Sequence, residues 1–115
     1  DRVFSPADLL PVCRETGIPL TYDVHHHRCN PDALGVEAAT HAALKTWSRE
    51  PLFHISSPLD RRCESVDRRH ADTVHVHDFP DLWRSLDITV DVEAKAKEVA
   101  VDRLKKDLQR TRPLH

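Results

Sequence analysis

Glycine is nearly missing from this chain, at 2 residues in 115. Phosphate-cradling loops of the Walker and Rossmann kinds need several glycines at fixed spacing, so both are excluded. Cysteine is scarce too: Cys13, Cys29 and Cys63 make an odd number, widely spaced. That argues against a disulfide framework and a Cys-based zinc finger, and fits a reducing, cytoplasmic setting. No run approaches the roughly 20 apolar residues needed to cross a bilayer, and no signal peptide opens the sequence. Neither sign of charge dominates, with 17 Lys+Arg against 19 Asp+Glu and a net charge of −2. A grossly basic nucleic-acid binder is thereby excluded, though not one with a local basic patch. The 39% hydrophobic and 31% charged content is too apolar for a disordered tail. The length allows one domain at most. Residue 1 is Asp rather than Met, so the chain reads as a piece of a longer protein.

Histidine, in contrast, is abundant: of 9, five lie in two short stretches, at 25–27 and at 75 and 77. Around them the apolar pattern predicts an alternation of helices and strands. Ser5, Pro6 and Asp8 have the spacing of a helix N-terminus and Gly17 that of a stop, with Pro11 expected to bend the helix between them. Residues 19–24 read as a strand, and a His-rich turn follows to Pro31. Val36, Ala39, Thr40, Ala43, Leu44 and Trp47 share one helical face. Leu52–Ile55 is a second strand candidate, followed by a long polar loop to about His77 that carries seven charges between Asp60 and Arg69. Residues 88–93 form a third strand, and a helix is expected from about Ala94 to Leu108. Such alternation predicts parallel βα units. Three parallel strands cannot close, and an open sheet of them would expose two edges, so the expected fold is α/β: part of a larger (β/α) TIM-type barrel, residues 1–115 supplying about three βα units.

In such barrels the active site lies at the C-terminal ends of the strands. Those ends carry Asp23 with His25, His26 and His27; His54; and Asp91 with Glu93. The long loop adds His70, Asp72, His75 and His77. Imidazole and carboxylate ligands without thiolates suit Zn, Mn or Fe, and several in one cleft suit multi-metal phosphoryl transfer. Each residue has an ordinary reading as well: a solvated His turn, a hydrogen-bonded core histidine at 54, a carboxylate paired with Arg or Lys. His41 and His115 read as surface residues. The coincidence at all three strand ends favours a metal site, because charge at each end is hard to explain by packing. On the third strand Thr89, Asp91 and Glu93 share a face, with Glu93 at the rim and Asp91 one layer deeper.

Taken together, Thr21-Tyr-Asp-Val-His-His-His27, Asn30-Pro31, Phe53-His-Ile-Ser-Ser57, His70-Ala-Asp72 and Val92-Glu-Ala-Lys-Ala-Lys-Glu98 resemble the C-terminal half of the UV damage endonuclease family (UvsE or UvdE), essentially end to end. The resemblance implies a barrel akin to endonuclease IV and an ATP-independent DNA repair nuclease. Such an enzyme nicks damaged double-stranded DNA immediately 5′ of a UV photoproduct, using up to three divalent metals, commonly manganese. It implies metal ligation by Asp23, His26, His54, His70 and Glu93, with Asp23, His26 and Glu93 closest to catalysis. It selects His26 from a triplet that spacing leaves unresolved.

The chain departs from the family at three places. The N-terminal half, with further His ligands and a bridging Glu, is absent, and Asp1 corresponds to the end of a Glu-Asn-Asp-Asp segment. Leu52 stands where some members carry Lys. The charge-rich stretch between His54 and His70 reads as an insertion. Arg61, Arg62, Arg68 and Arg69 are candidates for phosphate contact. The seven Lys/Arg against three Asp/Glu between Lys95 and Arg112 read as a solvated helix face. The alternatives are a Mn-dependent sugar isomerase or epimerase on the same barrel type, which the arginine-rich loop disfavours, and a non-catalytic remnant.

Overall fold

The structure, a computed structural model, describes residues 4–59 and 69–111; Cys63, Arg61, Arg62, Arg68, Arg112 and His115 lie outside the described residues. Its first helix, α1 (Pro6–Thr16), begins as the sequence predicts. Ser5 accepts from the Asp8 N–H at 3.3 Å, and the Asp8 carboxylate accepts from the Ser5 N–H at 3.1 Å, closing a reciprocal cap. The helix continues through Pro11 and stops at Gly17, whose φ of 75° and N–H bond to the Cys13 carbonyl form a left-handed cap.

The expected strand over 19–24 is reduced to a short parallel contact. Asp23 bridges His54, and the His54 N–H donates to the Tyr22 carbonyl at 2.8 Å. The expected His-rich turn is a helix, α2 (Val24–Cys29), which starts directly on that contact. The physical reason is Asp23: its extended backbone and a side chain accepting from the His26 N–H at 2.9 Å make it an N-cap.

Helix α3 (Val36–Leu44) is shorter than the periodicity suggests. The Thr46 hydroxyl takes the Ala43 carbonyl at 2.7 Å, the acceptor that a further turn would offer to the Trp47 N–H. Trp47 still packs inward, its indole N–H donating to the Leu20 carbonyl at 2.7 Å.

Strands β1 (Leu52–Ile55) and β2 (Thr89–Val92) pair in parallel, with His54 opposite Asp91 and Ile55 opposite Val92. The Glu93 N–H continues the ladder to the Ile55 carbonyl at 2.8 Å. Between the strands, 3-10 turns at Val76–Asp78 and Asp81–Ser85 interrupt the connection, and the second drives Trp83 into the core. The last helix, α4 (Glu98–Arg110), begins four residues after Ala94, where the expected helix starts. Lys97 has φ 48°, a backbone state that separates the 94–97 turn from the helix.

The core lies on the face of the strands opposite His54. Phe53 and Ile55 are fully buried there with Tyr22, Val24 and Trp83, and α3 and α4 cover it through Ala39, Ala43 and Leu104. Tyr22, Phe53, Phe79 and Trp83 meet at centroid distances of 5.3–6.1 Å, mostly edge to face. The Trp83 indole N–H is satisfied by the Thr40 hydroxyl at 3.0 Å. Among the described residues no helix is long and apolar enough to cross a membrane.

Candidate metal centre

Parallel pairing aligns the strand ends, and the period of two turns alternate side chains away from the core. Phe53 and Ile55 go to the core, so His54 goes to the other face, flanked by Asp23 from the segment before α2, by Asp91 of β2 and by Glu93 just after it. His54 Nδ1 lies 3.0 Å from Glu93 Oε1 and 3.9 Å from Asp23 Oδ2. One ligand atom from each of Asp23, His54 and Glu93 falls within 4.8 Å of the others.

The donor set fits a divalent cation. Donors held at about 2.1 Å from a common ion are separated by about 3.0 Å when adjacent and about 4.2 Å when opposite. The observed 3.0 and 3.9 Å separations match that range. Two carboxylates and an imidazole, without a thiolate, select borderline and hard ions. Asp91 stands apart: its Oδ2 is 3.7 Å from His54 Nε2, on the other side of the ring, and its side chain is 58% exposed against 35% for Glu93.

The three histidines of the triplet occupy three environments. His26 is 40% exposed and brings Nδ1 to 3.7 Å from Asp23 Oδ2, outside the three-membered set but beside it. His25 is buried, with Nε2 3.7 Å from the Cys29 sulfur and its ring edge-on to His70 at 5.7 Å. His27 is buried between Tyr22 and Asp32.

His70 does not join Asp23, His54 and Glu93, but it lines one cleft with Glu93, Arg69 and Lys95. Its segment is stitched across that cleft by backbone bonds from Lys95 N–H to the Ala71 carbonyl and from Ala96 N–H to the Asp72 carbonyl. Leu52 is half-buried at the start of β1. His75 and His77 stack on each other at 4.9 Å and are exposed; His41 is exposed on α3.

The sequence reading passed over Tyr22 and Asp32. Tyr22 stood as one apolar residue of a strand, and burial pushes its phenol well above the ordinary range. Asp32 follows Pro31, one residue beyond the expected His-rich turn. Partial burial works against its charged form, but hydrogen bonds from the Ala7 N–H, His27 and the Leu34 N–H outweigh that and hold the carboxyl down at about 2.

Residues 1–115 match the UV-endonuclease UvdE family. The UV DNA damage endonuclease of Bacillus velezensis is 34% identical over 121 residues, covering 97% of this chain and 37% of that protein. That of Deinococcus radiodurans is 35% identical over 112 residues, covering 91% and 35%. The UV-damage endonuclease of Schizosaccharomyces pombe is 36% identical over 109 residues, covering 88% and 18%. Among solved structures, the crystal structure of SacUVDE superposes with a TM-score of 0.79 at 25% identity, over 99% of this chain and 39% of that one. The chain therefore spans between 18% and 37% of the length of these three curated relatives. Its fold is α/β, and the chain belongs to the UV-endonuclease UvdE family.

Proposed function

We propose that this chain forms the last three or so βα units of a (β/α) TIM-type barrel in a DNA repair endonuclease, and that the barrel nicks UV-damaged double-stranded DNA 5′ of the photoproduct. The observation that carries the reading is the meeting of Asp23, on an isolated parallel bridge beside β1, with His54 on β1 and Glu93 just after β2, in a chain of this family. In barrels of this type that rim is where chemistry is assembled.

Asp23, His54 and Glu93 would hold a divalent cation, with His26 and His70 reaching further cations of a cluster of up to three, of which manganese is the first candidate. When bound, such ions supply the positive charge that polarises a phosphodiester and activates water. The residues of this chain have their own tasks. Glu93 brings Oε1 to 3.0 Å from His54 Nδ1, the spacing of two neighbouring donors to one cation. Asp23 divides its carboxylate, one oxygen capping α2 and the other facing His54 and His26. Arg69 and Lys95, on the His70–Glu93 cleft, offer positive charge to the DNA backbone. The rest of the barrel, with its further ligands, would come from upstream sequence.

The test is a chimera in which this chain replaces the matching third of the Bacillus velezensis endonuclease. It is assayed with Mn2+ on UV-irradiated and unirradiated plasmid, and the nick is mapped. Lesion-dependent nicking on the 5′ side is expected. Glu93→Gln should lower bound Mn2+ and nicking together, while Asp91→Asn should act chiefly on stability. A folded chimera that retains Mn2+ yet never nicks irradiated DNA, or a Glu93→Gln form with full metal and full rate, would overturn the reading.

A further inference from the structure

Both ring nitrogens of the buried His27 are engaged: Nδ1 lies 2.6 Å from the Tyr22 hydroxyl and Nε2 lies 2.8 Å from Asp32 Oδ1. Asp32 also accepts from the Leu34 N–H at 2.8 Å and from the Ala7 N–H, in the first turn of α1, at 2.9 Å. The direction of these bonds follows from their ends. A carboxylate only accepts, so Nε2 carries a proton, and in the neutral imidazole Nδ1 then accepts from the phenol. With its one free lone pair taken by Tyr22, His27 has no nitrogen to offer a cation.

We propose that His27 is a positioning residue: together with Tyr22 and Asp32 it clamps α2 to the strand segment and to the start of α1, so that Asp23 and His26 keep facing the metal centre. The inference rests on the metal-centre reading of Asp23, His54 and Glu93 given above. Helix α2 has six residues, well below the roughly 12–15 at which an isolated helix becomes even marginally stable. Its orientation must therefore come from tertiary contacts. Asp23 caps α2 through Oδ1, 2.9 Å from the His26 N–H, and points Oδ2 at His54 and His26. A rotation of α2 about its axis therefore moves the Asp23 carboxylate and the His26 ring together. His27, one residue beyond His26, ties the triplet both to the residue preceding Asp23 and to the Asp32 turn. Histidine suits this position because one rigid ring presents an acceptor and a donor on opposite edges.

Mn2+ binding to the chimera described under the proposed function is measured by calorimetry for the parent, Tyr22→Phe, His27→Gln and His27→Ala, together with each urea midpoint. Loss of a partner that orients a metal ligand costs about 10–100-fold in affinity. His27→Ala should lose about tenfold at the low end of that range. Tyr22→Phe should lose severalfold, and His27→Gln, which keeps a donor toward Asp32, should recover part of the loss. A purely structural role would lower the urea midpoints and leave the Mn2+ Kd of the folded chains alone. Should His27→Ala fail to fold, Tyr22→Phe and His27→Gln carry the test. Wild-type affinity in both of them would overturn the proposal. A folded parent chimera that takes up no Mn2+ would overturn the metal-centre reading and the proposal with it. The long-range 1H–15N imidazole spectrum gives a metal-independent check: His27 should be the Nε2–H tautomer in the parent, and an Nδ1–H tautomer would refute the clamp by itself.

Discussion

Replacing Asp32 with Asn keeps the side chain's shape and turns one acceptor oxygen into a donor. The carboxylate serves three donors: His27 Nε2 and the Leu34 N–H on Oδ1, each at 2.8 Å, and the Ala7 N–H on Oδ2 at 2.9 Å. An amide can keep the first two by placing its oxygen there, but its NH2 then faces the Ala7 N–H. One charge-assisted bond is lost, at about 1.5–3 kcal/mol, and the exposure of Ala7 to water favours the lower half of that range. The three hydrogen bonds hold the carboxyl down at about 2, so the charged form is the one that folding favours. Asp32→Asn should therefore lose about 2 kcal/mol at pH 7 in urea unfolding followed by circular dichroism. The sign follows from the direction of the shift. A depressed carboxyl contributes fully above its unfolded pKa and loses its contribution as pH falls toward the folded value. The gap between parent and variant should therefore be flat from about pH 7 to pH 5 and shrink to about half by pH 3. No gap at pH 7, or a gap undiminished at pH 3, would refute the account.

Two further outcomes test the packing and the caps. Phe53→Ala, in a fully buried site against Tyr22 and Trp83, should cost about 3–5 kcal/mol in the same urea assay; a loss below about 1 kcal/mol would mean that the aromatic cluster does not hold the sheet. Gly17→Ala should cost about 1 kcal/mol through its backbone alone, because φ is 75° and an added Cβ meets nothing within 4 Å; a variant as stable as the parent would show that α1 can end another way.

What the sequence made legible were features carried by a few adjacent residues. Ser5, Pro6, Asp8 and Gly17 announce both ends of α1, and the apolar run over 52–55 and the alternation over 88–93 announce both strands. The three strand-end groups of the candidate centre were legible for the same reason, since a period of two fixes which face Asp91 and Glu93 share. Features decided by tertiary contact were hidden. Helix α2 is too short for periodicity to show, and it reads as a turn until Asp23 is seen to cap it. The end of α3 depends on a Thr46 hydroxyl whose second partner, the Leu20 N–H, is 26 residues away in sequence. The Tyr22–His27–Asp32 chain was hidden in the same way, because a His triplet has no pattern that separates its members. Only their burial and partners do.

The passage from Asp23 into α2 has no intervening residue, and this limits how the chain can vary in length. Each residue in a helix advances the side-chain direction by about 100°. A single insertion between Asp23 and Val24 would hand the direction now taken by His26 to a neighbour in the triplet. The same slip would pull His27 from between Tyr22 and Asp32 and leave three polar groups to find other partners. The step at Asp23 therefore works as a fixed gear whose teeth are the histidines.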